Sequence, residues 1–470
     1  MSQSYDYDLI CIGSGPAGQS CAIQAAKLGK KVAVIEKQRC VGGVCVETGT
    51  IPSKTFREAV RSFMVRRDSD AGLGLAPRIK PDAAELLRRV NDVMQHESNL
   101  QTDKMQRNDI NIILGTAAFA DPHTIRIEDQ HGAHTLTAEH FMIAVGTRPV
   151  FPKDVSPDTS AVIVSDGLMN LTQLPGTVAV VGAGVIGIEY ASMFAALGIE
   201  VIVIDGRDRP LEFLDTEITD EMLHQMRSAN MIFRLGESVE SIEVAQGTNP
   251  TVHLELESGK RIVADLALYC VGRQGATDTL NLESVGVTAD SRGRLKVNDR
   301  FQTEIPHVHA AGDVIGFPSL AATSSEQGRL AACGMFGAPC PPMADHFPIG
   351  IYAIPEIAMV GATEQKLTDD RVPYEIGIAR YREIARGQIL GDAQGLLKLI
   401  FHRDHGRLLG VHAIGSGATE LIHVGQAVLG LGGGIDYFLQ TVFNYPILAE
   451  CYKVAALNAS NKLIKLKNVA

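Results

Sequence analysis

The residues whose chemistry can be predicted most directly lie in two glycine-rich turns, each followed by an acidic residue at the same distance. Their glycines are Gly13, Gly15 and Gly18 in the first turn and Gly182, Gly184 and Gly187 in the second. The acids are Glu36 and Asp205, each 23 positions after the first glycine of its turn. The first glycine of such a pattern permits a tight turn, the second lets a pyrophosphate approach the backbone, and the third lets helix pack on strand. The acid can accept hydrogen bonds from ribose hydroxyls, so the sequence predicts two dinucleotide-binding units.

The sequence also predicts the strands and helices that must position these turns. Short apolar runs at residues 8–12 and 177–181 precede the turns and are typical of strands buried on both faces of a parallel sheet. A helical segment follows each turn, and a second apolar run, at residues 31–35 or 200–204, leads to the acid. A phosphate bound at such a turn lies at a helix N-terminus, where free N–H groups attract anions. Because this order occurs twice, we expect two folds of the same kind.

A second distinctive stretch, residues 42–54, contains Cys45, Thr50 and Lys54. It reads Gly-Gly-Val-Cys-Val-Glu-Thr-Gly-Thr-Ile-Pro-Ser-Lys and resembles the flavin-proximal motif of the flavoprotein disulfide reductases. In that family two cysteines with four residues between them face the flavin, and the second directly precedes Ile-Pro-Ser-Lys. Thr50 stands in that position here. The resemblance therefore implies that the chain lacks the second thiol of the redox-active pair.

Cys40 and Cys45 also have four residues between them, but in the wrong register for this motif. If Cys45 took the role of the second thiol, five extra residues would precede the helix that Pro52 and Ser53 are predicted to start. That helix is predicted over residues 53–67. We interpret Cys40 as a small, partly buried structural side chain, as free cysteines commonly are.

The end of the chain departs from the family a second time. Family members carry a histidine before a proline, paired with a glutamate five positions after that histidine, and the partner subunit's dithiol uses it as acid and base. In this chain Tyr445 precedes Pro446, while Glu450 is retained. A tyrosine with a pKa of about 10 cannot exchange protons at neutral pH as an imidazole does. The resemblance thus implies that this chain lacks both the second thiol, where Thr50 stands, and the histidine base, where Tyr445 stands.

The resemblance covers essentially the whole chain and implies an α/β fold. It implies two Rossmann-like dinucleotide-binding domains, one for FAD and one for NAD(P), followed by a C-terminal α+β dimerisation domain. The boundaries that we expect are residues 1–150 and 272–345 for the FAD domain, 151–271 for the NAD(P) domain and 346–470 for the dimerisation domain. Residues 141–149 are predicted to form the strand that leads out of the first domain.

The same resemblance assigns roles to individual residues. The expected FAD contacts are Gly13, Gly15, Gly18, Glu36, Lys37, Gly43, Cys45, Thr50, Lys54, Gly146, Gly312 and Asp313. The expected contacts of the nicotinamide nucleotide are Gly182, Gly184, Gly187, Asp205, Arg207 and Gly272. Lys54 and Glu189 are the expected catalytic pair, because the family lysine lies beside flavin N5 and this glutamate is its usual ion-pair partner.

Asp205 and the arginines that follow it predict opposite nucleotide preferences. A carboxylate suits the free 2′-hydroxyl of NAD and repels the 2′-phosphate of NADP, whereas Arg207 and Arg209 can pair with that phosphate. The alternative is that both arginines are solvated loop charges. An acid beside two arginines fits a site that accepts NAD and NADP alike as substrates.

Family members with threonine and tyrosine at the two departures pass hydride from NADPH to NAD through FAD, and the resemblance implies this activity. Without a thiol relay, the work of the protein is orientation, exclusion of oxygen and electrostatics. Two alternatives remain open. One is a diaphorase, quinone reductase or oxidase that passes electrons from NAD(P)H to a quinone or oxygen. The other is a nonenzymatic flavin-carrying redox sensor or regulatory subunit.

Composition argues against several other classes of protein. The 470 residues include 43 Lys and Arg against 54 Asp and Glu, so a net charge of −11 disfavours nucleic-acid or anionic-membrane partners. The eight cysteines and 14 histidines show no metal-ligand spacing, so no metal is expected. Cysteine usage and the lack of an expected signal peptide favour the cytoplasm. The most apolar window, residues 178–197, is divided by glycines and Glu189, so no membrane span is expected. The protein partner that we expect is the same chain, in a homodimer or a larger homo-oligomer.

Overall fold

The first glycine-rich turn lies in an α/β unit. The computed structural model describes residues 5–72, 82–152, 155, 160–245, 247, 250–339 and 341–469, and the side chains of 67–72 and 466–469 are outside this description. The elements of the first unit are β1 (Tyr7–Ile12), α1 (Pro16–Lys27), β2 (Val32–Glu36), α2 (Gly43–Glu47), α3 (Thr50–Gly72), α4 (Ala83–Gln106), β3 (Asn111–Leu114), β4 (Thr116–Asp121), β5 (Thr124–Asp129), β6 (Gly132–Ile143) and β7 (Thr147–Pro149).

The sheet of this unit has the order β3-β2-β1-β6, and all of these pairs are parallel. The first half of β6 also pairs antiparallel with β5, which in turn pairs with β4. Every residue of β2 is buried, as its uninterrupted apolar run predicts for a strand covered on both faces. Full burial of a valine or isoleucine side chain contributes about 1.5–3 kcal/mol to stability, so these strands hold the turn after β1 firmly in place.

The second turn lies in a unit built in the same way. Its elements are β8 (Val162–Val164), β9 (Thr177–Val181), α5 (Val185–Ala196), β10 (Glu200–Asp205), α6 (Thr216–Ser228), β11 (Met231–Leu235), β12 (Val239–Ala245), β13 (Thr251–Leu256), β14 (Arg261–Ala264) and β15 (Leu266–Tyr269). The parallel order is β11-β10-β9-β15-β8, and β12, β13 and β14 form an antiparallel meander. β10-β9-β15 therefore repeats β2-β1-β6, which confirms the predicted repeat.

After the second unit the chain returns to the first sheet through β16 (Arg273–Gly275), β17 (Val308–Ala310) and α7 (Ala321–Met335). β17 pairs parallel with the end of β6, and α7 packs on α1. One prediction was wrong in extent, since residues 141–149 do not form one strand. β6 ends at Ile143, the backbone turns at Gly146 with φ of 62°, and β7 pairs antiparallel with β16 instead.

The last segment forms an antiparallel sheet of order β18-β19-β22-β21-β20 with helices packed against it. Its elements are β18 (Ile349–Ile351), β19 (Ile357–Gly361), α8 (Glu364–Asp369), β20 (Tyr374–Arg380), α9 (Ala385–Leu390), β21 (Leu396–His402), β22 (Leu408–Ile414), α10 (Ala418–Gly430), α11 (Ile435–Gln440) and α12 (Glu450–Val469). This confirms the expected class of two dinucleotide-binding folds with a C-terminal α+β unit. None of the helices among the described residues has the length and apolar character needed to cross a bilayer.

A single hydrophobic core joins all three segments and fixes the position of α3. Phe56 and Val60 of α3 pack in it with Ile188 of α5 and with Ile351 and Ala353 around β18. The relative positions of α3 and α5 are therefore set by apolar packing over residues far apart in sequence. This matters for the site because each helix carries one member of the expected catalytic pair.

A buried histidine of the first sheet, His309, next to the half-buried His140, predicts sensitivity to acid. His309 is 3% exposed, and the Nδ1 atoms of His309 and His140 lack a hydrogen-bond partner. Burial, reinforced by the nearby His140, lowers the pKa of His309 to about 4. A base whose pKa falls on folding contributes stability above its unfolded pKa of about 6.5, and this contribution is lost as the pH falls toward the folded value.

We expect the free energy of unfolding to fall by about 2 kcal/mol between pH 7.5 and pH 5 through His309 alone. His309→Leu should flatten this pH dependence, whereas His96→Leu, at an exposed position on α4, should leave it unchanged. Urea unfolding at a series of pH values measures the effect. Equal slopes in the His309→Leu variant and the unsubstituted chain would contradict the prediction.

Candidate functional site

The two glycine-rich turns have matching geometry. Gly13 has φ of 104°, and a Cβ there would lie 2.4 Å from the Ala144 carbonyl oxygen. Gly182 has φ of 105°, and a Cβ there would lie 2.5 Å from the Cys270 carbonyl oxygen. Only glycine fits either position, because the backbone is left-handed and the neighbouring strand is too close. The two turns therefore repeat each other in detail as well as in sequence.

The third and second glycines of the turns have opposite surroundings. A Cβ on Gly18 or Gly187 would lie 2.0 or 1.9 Å from the carbonyl oxygen of the first glycine, so the helix packs directly on the turn. A Cβ on Gly15 or Gly184 would meet nothing within 4 Å. These residues are the N-caps of α1 and α5, and neither helix has a side-chain cap on its N–H groups. Open space in front of uncapped N–H groups fits a pyrophosphate in both turns.

The two acids hold the turns through equivalent hydrogen bonds. Glu36 accepts from the Ser14 backbone N–H at 2.9 Å and the Ser14 hydroxyl at 2.6 Å, and its other oxygen accepts from the Gln38 N–H at 2.9 Å. Asp205 accepts from the Ala183 N–H at 2.5 Å and the Arg207 N–H at 2.9 Å. Each carboxylate is buried beside its turn, where a dinucleotide ribose would lie.

The arginines after Asp205 have different partners. Arg207 donates from Nε to one oxygen of Asp205 at 2.8 Å and from Nη2 to the other at 2.7 Å. Arg209 instead donates to Asp220 at 2.8 Å. Burial alone would raise the pKa of Asp205, but the hydrogen bonds from Arg207 and Ala183 outweigh it and hold the pKa below its usual value. The structure thus joins Asp205 to Arg207, and Arg209 is directed elsewhere.

Lys54 and Glu189 lie together as expected. The Lys54 ammonium donates to both oxygens of Glu189, at 3.0 and 2.8 Å, and lies 5.0 Å from the ring centre of Tyr352. The Tyr352 backbone N–H also donates to Glu189 at 2.8 Å. The Lys54 side chain is 27% exposed and that of Glu189 only 4%. The carboxylate is therefore a buried anchor, and the ammonium is its accessible end.

A second ion pair holds α3 against the C-terminal segment. Arg57, one turn after Lys54, donates to Glu356 at 2.9 Å and to the Ala353 carbonyl at 3.0 Å. Glu356 in turn accepts from the Thr419 N–H at 2.7 Å. Arg57 and Glu356 are each 5% exposed, where an ion pair depends on well-satisfied hydrogen bonds. The position of Lys54 therefore depends on contacts with the last third of the chain.

Cys45 and Thr50 face each other between α2 and α3. The helix begins at Thr50, three residues before the predicted start at Ser53. The Thr50 side chain lies near the Cys45 thiol, and burial raises the pKa of Cys45 although Thr50 and Lys54 oppose the effect. The nearby Thr48 hydroxyl is buried without a hydrogen-bond partner. A protonated thiol and an unpaired hydroxyl give this cleft polar groups that fit a flavin.

The remaining predicted FAD residues lie around the first turn. A Cβ on Gly43 would lie 3.0 Å from Gly15 Cα, so the second stretch packs directly against the first turn. Lys37 is exposed beside Glu36. Gly312 donates its N–H to the Gln327 side chain at 2.9 Å, and Asp313 follows at the end of the return strand. Burial raises the pKa of Asp313, although Arg273 and hydrogen bonds from Ser324 and Thr147 oppose it.

Gly146 and Gly272 occupy matching places in the two units. Gly146 follows β6 and Gly272 follows β15, the strands that pair with β1 and β9. Each has a left-handed backbone with φ of 62° or 148° and open space at its Cβ position. The structure brings Gly146 to the side of the first turn and Gly272 to the side of the second, through Ala144 and Cys270. The predicted residues therefore form two groups, one at each turn, with Lys54 and Glu189 between the two units.

Sequence reasoning missed Tyr352, Arg273 and Ser14 as members of the site. Arg273 donates to the Thr147 hydroxyl and carbonyl, both at 2.9 Å, and to Asp166 at 3.3 Å, so it ties the first unit to the second. Only Ser14 had a usable signal, because it lies inside the glycine-rich turn. Tyr352 and Arg273 act through partners more than 100 positions away.

Tyr445 and Glu450 lie just before and at the start of α12. Tyr445 is 68% exposed, and the neighbouring Val442 is 90% exposed. One carboxylate oxygen of Glu450 is buried without a hydrogen-bond partner. Large exposed side chains near a buried carboxylate oxygen without a partner are typical of surfaces that contact another protein chain.

One acidic group outside the site surrounds a lysine. Asp215, Glu217 and Glu364 lie close enough to share a cation, within the part of the chain that the structure describes. Lys398, which is fully buried, donates to all three, at 2.8 Å to Asp215 and 3.0 Å to Glu217. The ammonium already supplies the positive charge that a metal would bring, so this group joins β21 to the start of α6.

The fold and the paired turns define a protein with two dinucleotide-binding units. Residues 7–328 match the model of the pyridine nucleotide-disulphide oxidoreductases, and residues 347–456 match the dimerisation domain of the same family. The chain belongs to the pyridine nucleotide-disulphide oxidoreductase family.

Its relatives within this family are similar over nearly their whole length. A soluble pyridine nucleotide transhydrogenase of Mycobacterium bovis BCG is 50% identical over 463 residues, which cover 97% of this chain and 98% of the relative. One from Klebsiella pneumoniae is 44% identical over 468 residues, with coverage of 98% and 100%. Among solved structures, an HOCl-induced flavoprotein disulfide reductase from Escherichia coli superposes with a TM-score of 0.87 at 26% identity, covering 97% of this chain and 99% of that one.

Proposed function

We propose that this chain transfers hydride from NADPH to NAD through a bound FAD, without a redox-active disulfide. The observation that carries the proposal is the pair of equivalent turns, each with open space before uncapped helix N–H groups, on either side of Lys54 and Glu189. Thr50 beside Cys45 leaves a single thiol at this point. The relatives named as soluble transhydrogenases, 44–50% identical over nearly the full chain, support the same reaction.

In this proposal each turn has its own nucleotide. FAD is held by Glu36, Lys37, Gly43, Cys45, Thr50, Lys54, Gly146, Gly312, Asp313 and the glycines of the first turn. The nicotinamide nucleotide is held by Asp205, Arg207, Gly272 and the glycines of the second turn. When bound, FAD supplies a two-electron carrier that accepts a hydride and releases it again.

The chain's own residues orient the reactants and set the local field. Lys54 presents a positive charge toward the cleft, and Glu189 holds that ammonium through two hydrogen bonds. Lys54 is therefore the proposed catalytic residue, and Glu189, which acts through it, is a positioning residue. The turns fix both nucleotides by their phosphates, so that most of the orientation is complete before hydride transfer.

The domain boundaries and the assembly belong to the same proposal. We assign residues 1–150 and 272–345 to FAD binding, 151–271 to NAD(P) binding and 346–470 to contacts with a second copy. The match to a dimerisation domain and the exposed Val442 and Tyr445 support a homodimer. The word soluble in the relatives' names and the reducing environment that scattered cysteines favour support the cytoplasm.

A paired steady-state assay tests the function. NADPH should reduce a thionicotinamide analogue of NAD, and double-reciprocal plots at several fixed concentrations should be parallel, as a ping-pong reaction requires. Lipoamide, a quinone and oxygen should show no comparable turnover as electron acceptors. Faster reduction of a quinone or oxygen than of the NAD analogue would establish a diaphorase or oxidase instead. Slow turnover with every acceptor would establish a redox-sensing or regulatory role.

Lys54 and Glu189 should shift the flavin midpoint potential in opposite directions. Lys54→Met removes a positive charge that favours the reduced anionic flavin, so the potential should fall by about 30 mV, or about 1.4 kcal/mol for a two-electron couple. Glu189→Gln removes the opposing negative charge and should raise it. Xanthine oxidase-coupled redox titration with a reference dye measures both. Shifts of the midpoint potential in the same direction would indicate only a general loss of structure. The matched control is Arg61→Met, which removes an exposed charge from α3.

A further inference from the structure

The acids of the two turns differ in how many hydrogen bonds they accept. A carboxylate offers about four lone-pair positions. Glu36 in the first unit accepts three hydrogen bonds, two from Ser14 and one from the Gln38 N–H, which leaves one position open. Asp205 in the second unit accepts four, one from the Ala183 N–H and three from Arg207. The acid of the second turn is therefore saturated, and a ribose hydroxyl has no open acceptor there.

The extra bonds come from one side chain, and that side chain lies at the surface. Asp205 is 7% exposed, but Arg207 is 43% exposed. The Arg207 backbone is held in place, because its N–H donates to Asp205 and its carbonyl accepts from Gly236 at 3.0 Å. Movement of the guanidinium therefore opens two positions on Asp205 without moving the chain. In the first unit the residue at the same distance from the acid is Gln38, whose backbone makes the equivalent bond.

We propose that Arg207 is a movable counter-ligand that lets one site accept NAD and NADP in turn. The guanidinium paired with Asp205 must leave before a ribose can bind. A free 2′-hydroxyl takes its place on the carboxylate, whereas a 2′-phosphate binds the displaced guanidinium. Both nucleotides then break the same ion pair, and neither gains the full strength of its own contact. The inference rests on the proposed binding of both nicotinamide nucleotides at the second turn.

This exchange predicts effects of opposite sign from a single substitution. Arg207→Gln gives the second unit the residue that the first unit has at this place. It removes the partner of a 2′-phosphate, and it also removes the group that competes with a 2′-hydroxyl for Asp205. If Arg207 only bound phosphate, binding of the 2′-hydroxyl form would not change. If Arg207 only held Asp205 in position, that binding would weaken.

The test is calorimetric binding of 2′,5′-ADP and 5′-AMP, which differ only in the 2′-phosphate, to the FAD-loaded protein. Arg207→Gln should weaken 2′,5′-ADP by about 10-fold to 100-fold, as expected for a lost hydrogen bond between charged groups. It should tighten 5′-AMP by about threefold or more, because the competing state is removed. Arg209→Gln, at a position paired with Asp220, should leave both affinities within about twofold.

A double-mutant cycle with Asp205→Asn makes the test specific. In the Asp205→Asn background, Arg207→Gln should no longer tighten 5′-AMP, because the ion pair is already absent. Arg207→Lys, which keeps the charge but loses the two-point contact, serves if the glutamine variant does not fold, and it should tighten 5′-AMP to a smaller extent. Unchanged or weaker 5′-AMP binding in the variant, or tightening that persists with Asp205→Asn, would overturn the inference. Failure of hydride transfer with these affinities intact would contradict the proposed function alone.

Discussion

Gly184→Val is expected to give a protein that retains its flavin but is no longer reduced by NADPH or NADH. A Cβ at this position meets nothing within 4 Å of the chain, and Gly184 has an extended backbone with φ of −78° and ψ of −176°, which valine adopts readily. The added side chain therefore costs the fold little and fills the space in front of the α5 N-terminus. Hydrogen bonds to a charged phosphate contribute about 1.5–3 kcal/mol each, so loss of two weakens nucleotide binding by at least about 100-fold.

Gly15→Val is the matched substitution in the first turn and should have the opposite outcome. Its surroundings and backbone are equivalent, with φ of −66° and ψ of 177° and nothing near the Cβ position. This variant should be purified largely without flavin yet remain folded. The flavin absorbance of the denatured supernatant, circular dichroism and stopped-flow reduction by NADPH separate the two variants. Gly430→Val, at an exposed position with open space on α10, should change neither property.

The two variants together test the assignment of FAD to the first turn and of the nicotinamide nucleotide to the second. If Gly184→Val lost its flavin and Gly15→Val kept it, the order would be reversed. If both kept flavin and were reduced at the normal rate, neither turn would be a phosphate site. The symmetry of the two turns makes each variant the control for the other.

The turns could be predicted from sequence because their requirements are local. Gly13 and Gly182 must be glycine for reasons set by their own backbone and by one neighbouring strand. The same locality made the repeat visible, since strand, turn, helix and acid follow one another within 30 residues. The prediction of one strand over residues 141–149 was wrong, because the apolar run continues through Gly146 although the backbone turns there. A glycine within an apolar run is compatible with a strand or with its end, and hydrophobic pattern alone does not decide between them.

The parts of the site that escaped prediction depend on contacts between distant segments. Tyr352 reaches Glu189 across 163 positions, and Arg57 reaches Glu356 across 299. No spacing rule connects such residues, because their meeting results from three segments sharing one core. The pairing of Arg207 with Asp205 was hidden for another reason. The two residues are only two positions apart. Whether an arginine turns toward a nearby acid or toward solvent depends on its side-chain conformation, which the sequence pattern does not predict.

Thr50→Cys should create a disulfide with Cys45 that the unsubstituted protein lacks. The Thr50 side chain already lies near the Cys45 thiol, so the substitution places a second sulfur close to the first. Burial raises the pKa of Cys45, which keeps the thiol protonated near neutral pH. The unsubstituted protein should therefore show no thiolate-to-flavin charge-transfer band on two-electron reduction. Thr50→Ser, which keeps the hydroxyl, should also show no charge-transfer band on two-electron reduction.

The Thr50→Cys variant should lose two titratable thiols on oxidation and recover them on reduction with NADPH. A long-wavelength absorbance band should accompany that reduction, since the thiol introduced at position 50 can ionise next to the flavin. The variant should still reduce lipoamide poorly, because the exposed Tyr445 cannot take a proton from a dithiol at neutral pH. Tyr445→His added to Thr50→Cys should raise that activity above the level of either single variant. Lipoamide turnover by the unsubstituted protein would contradict a reaction without a disulfide, and an absence of disulfide in Thr50→Cys would contradict the facing arrangement of Cys45 and Thr50.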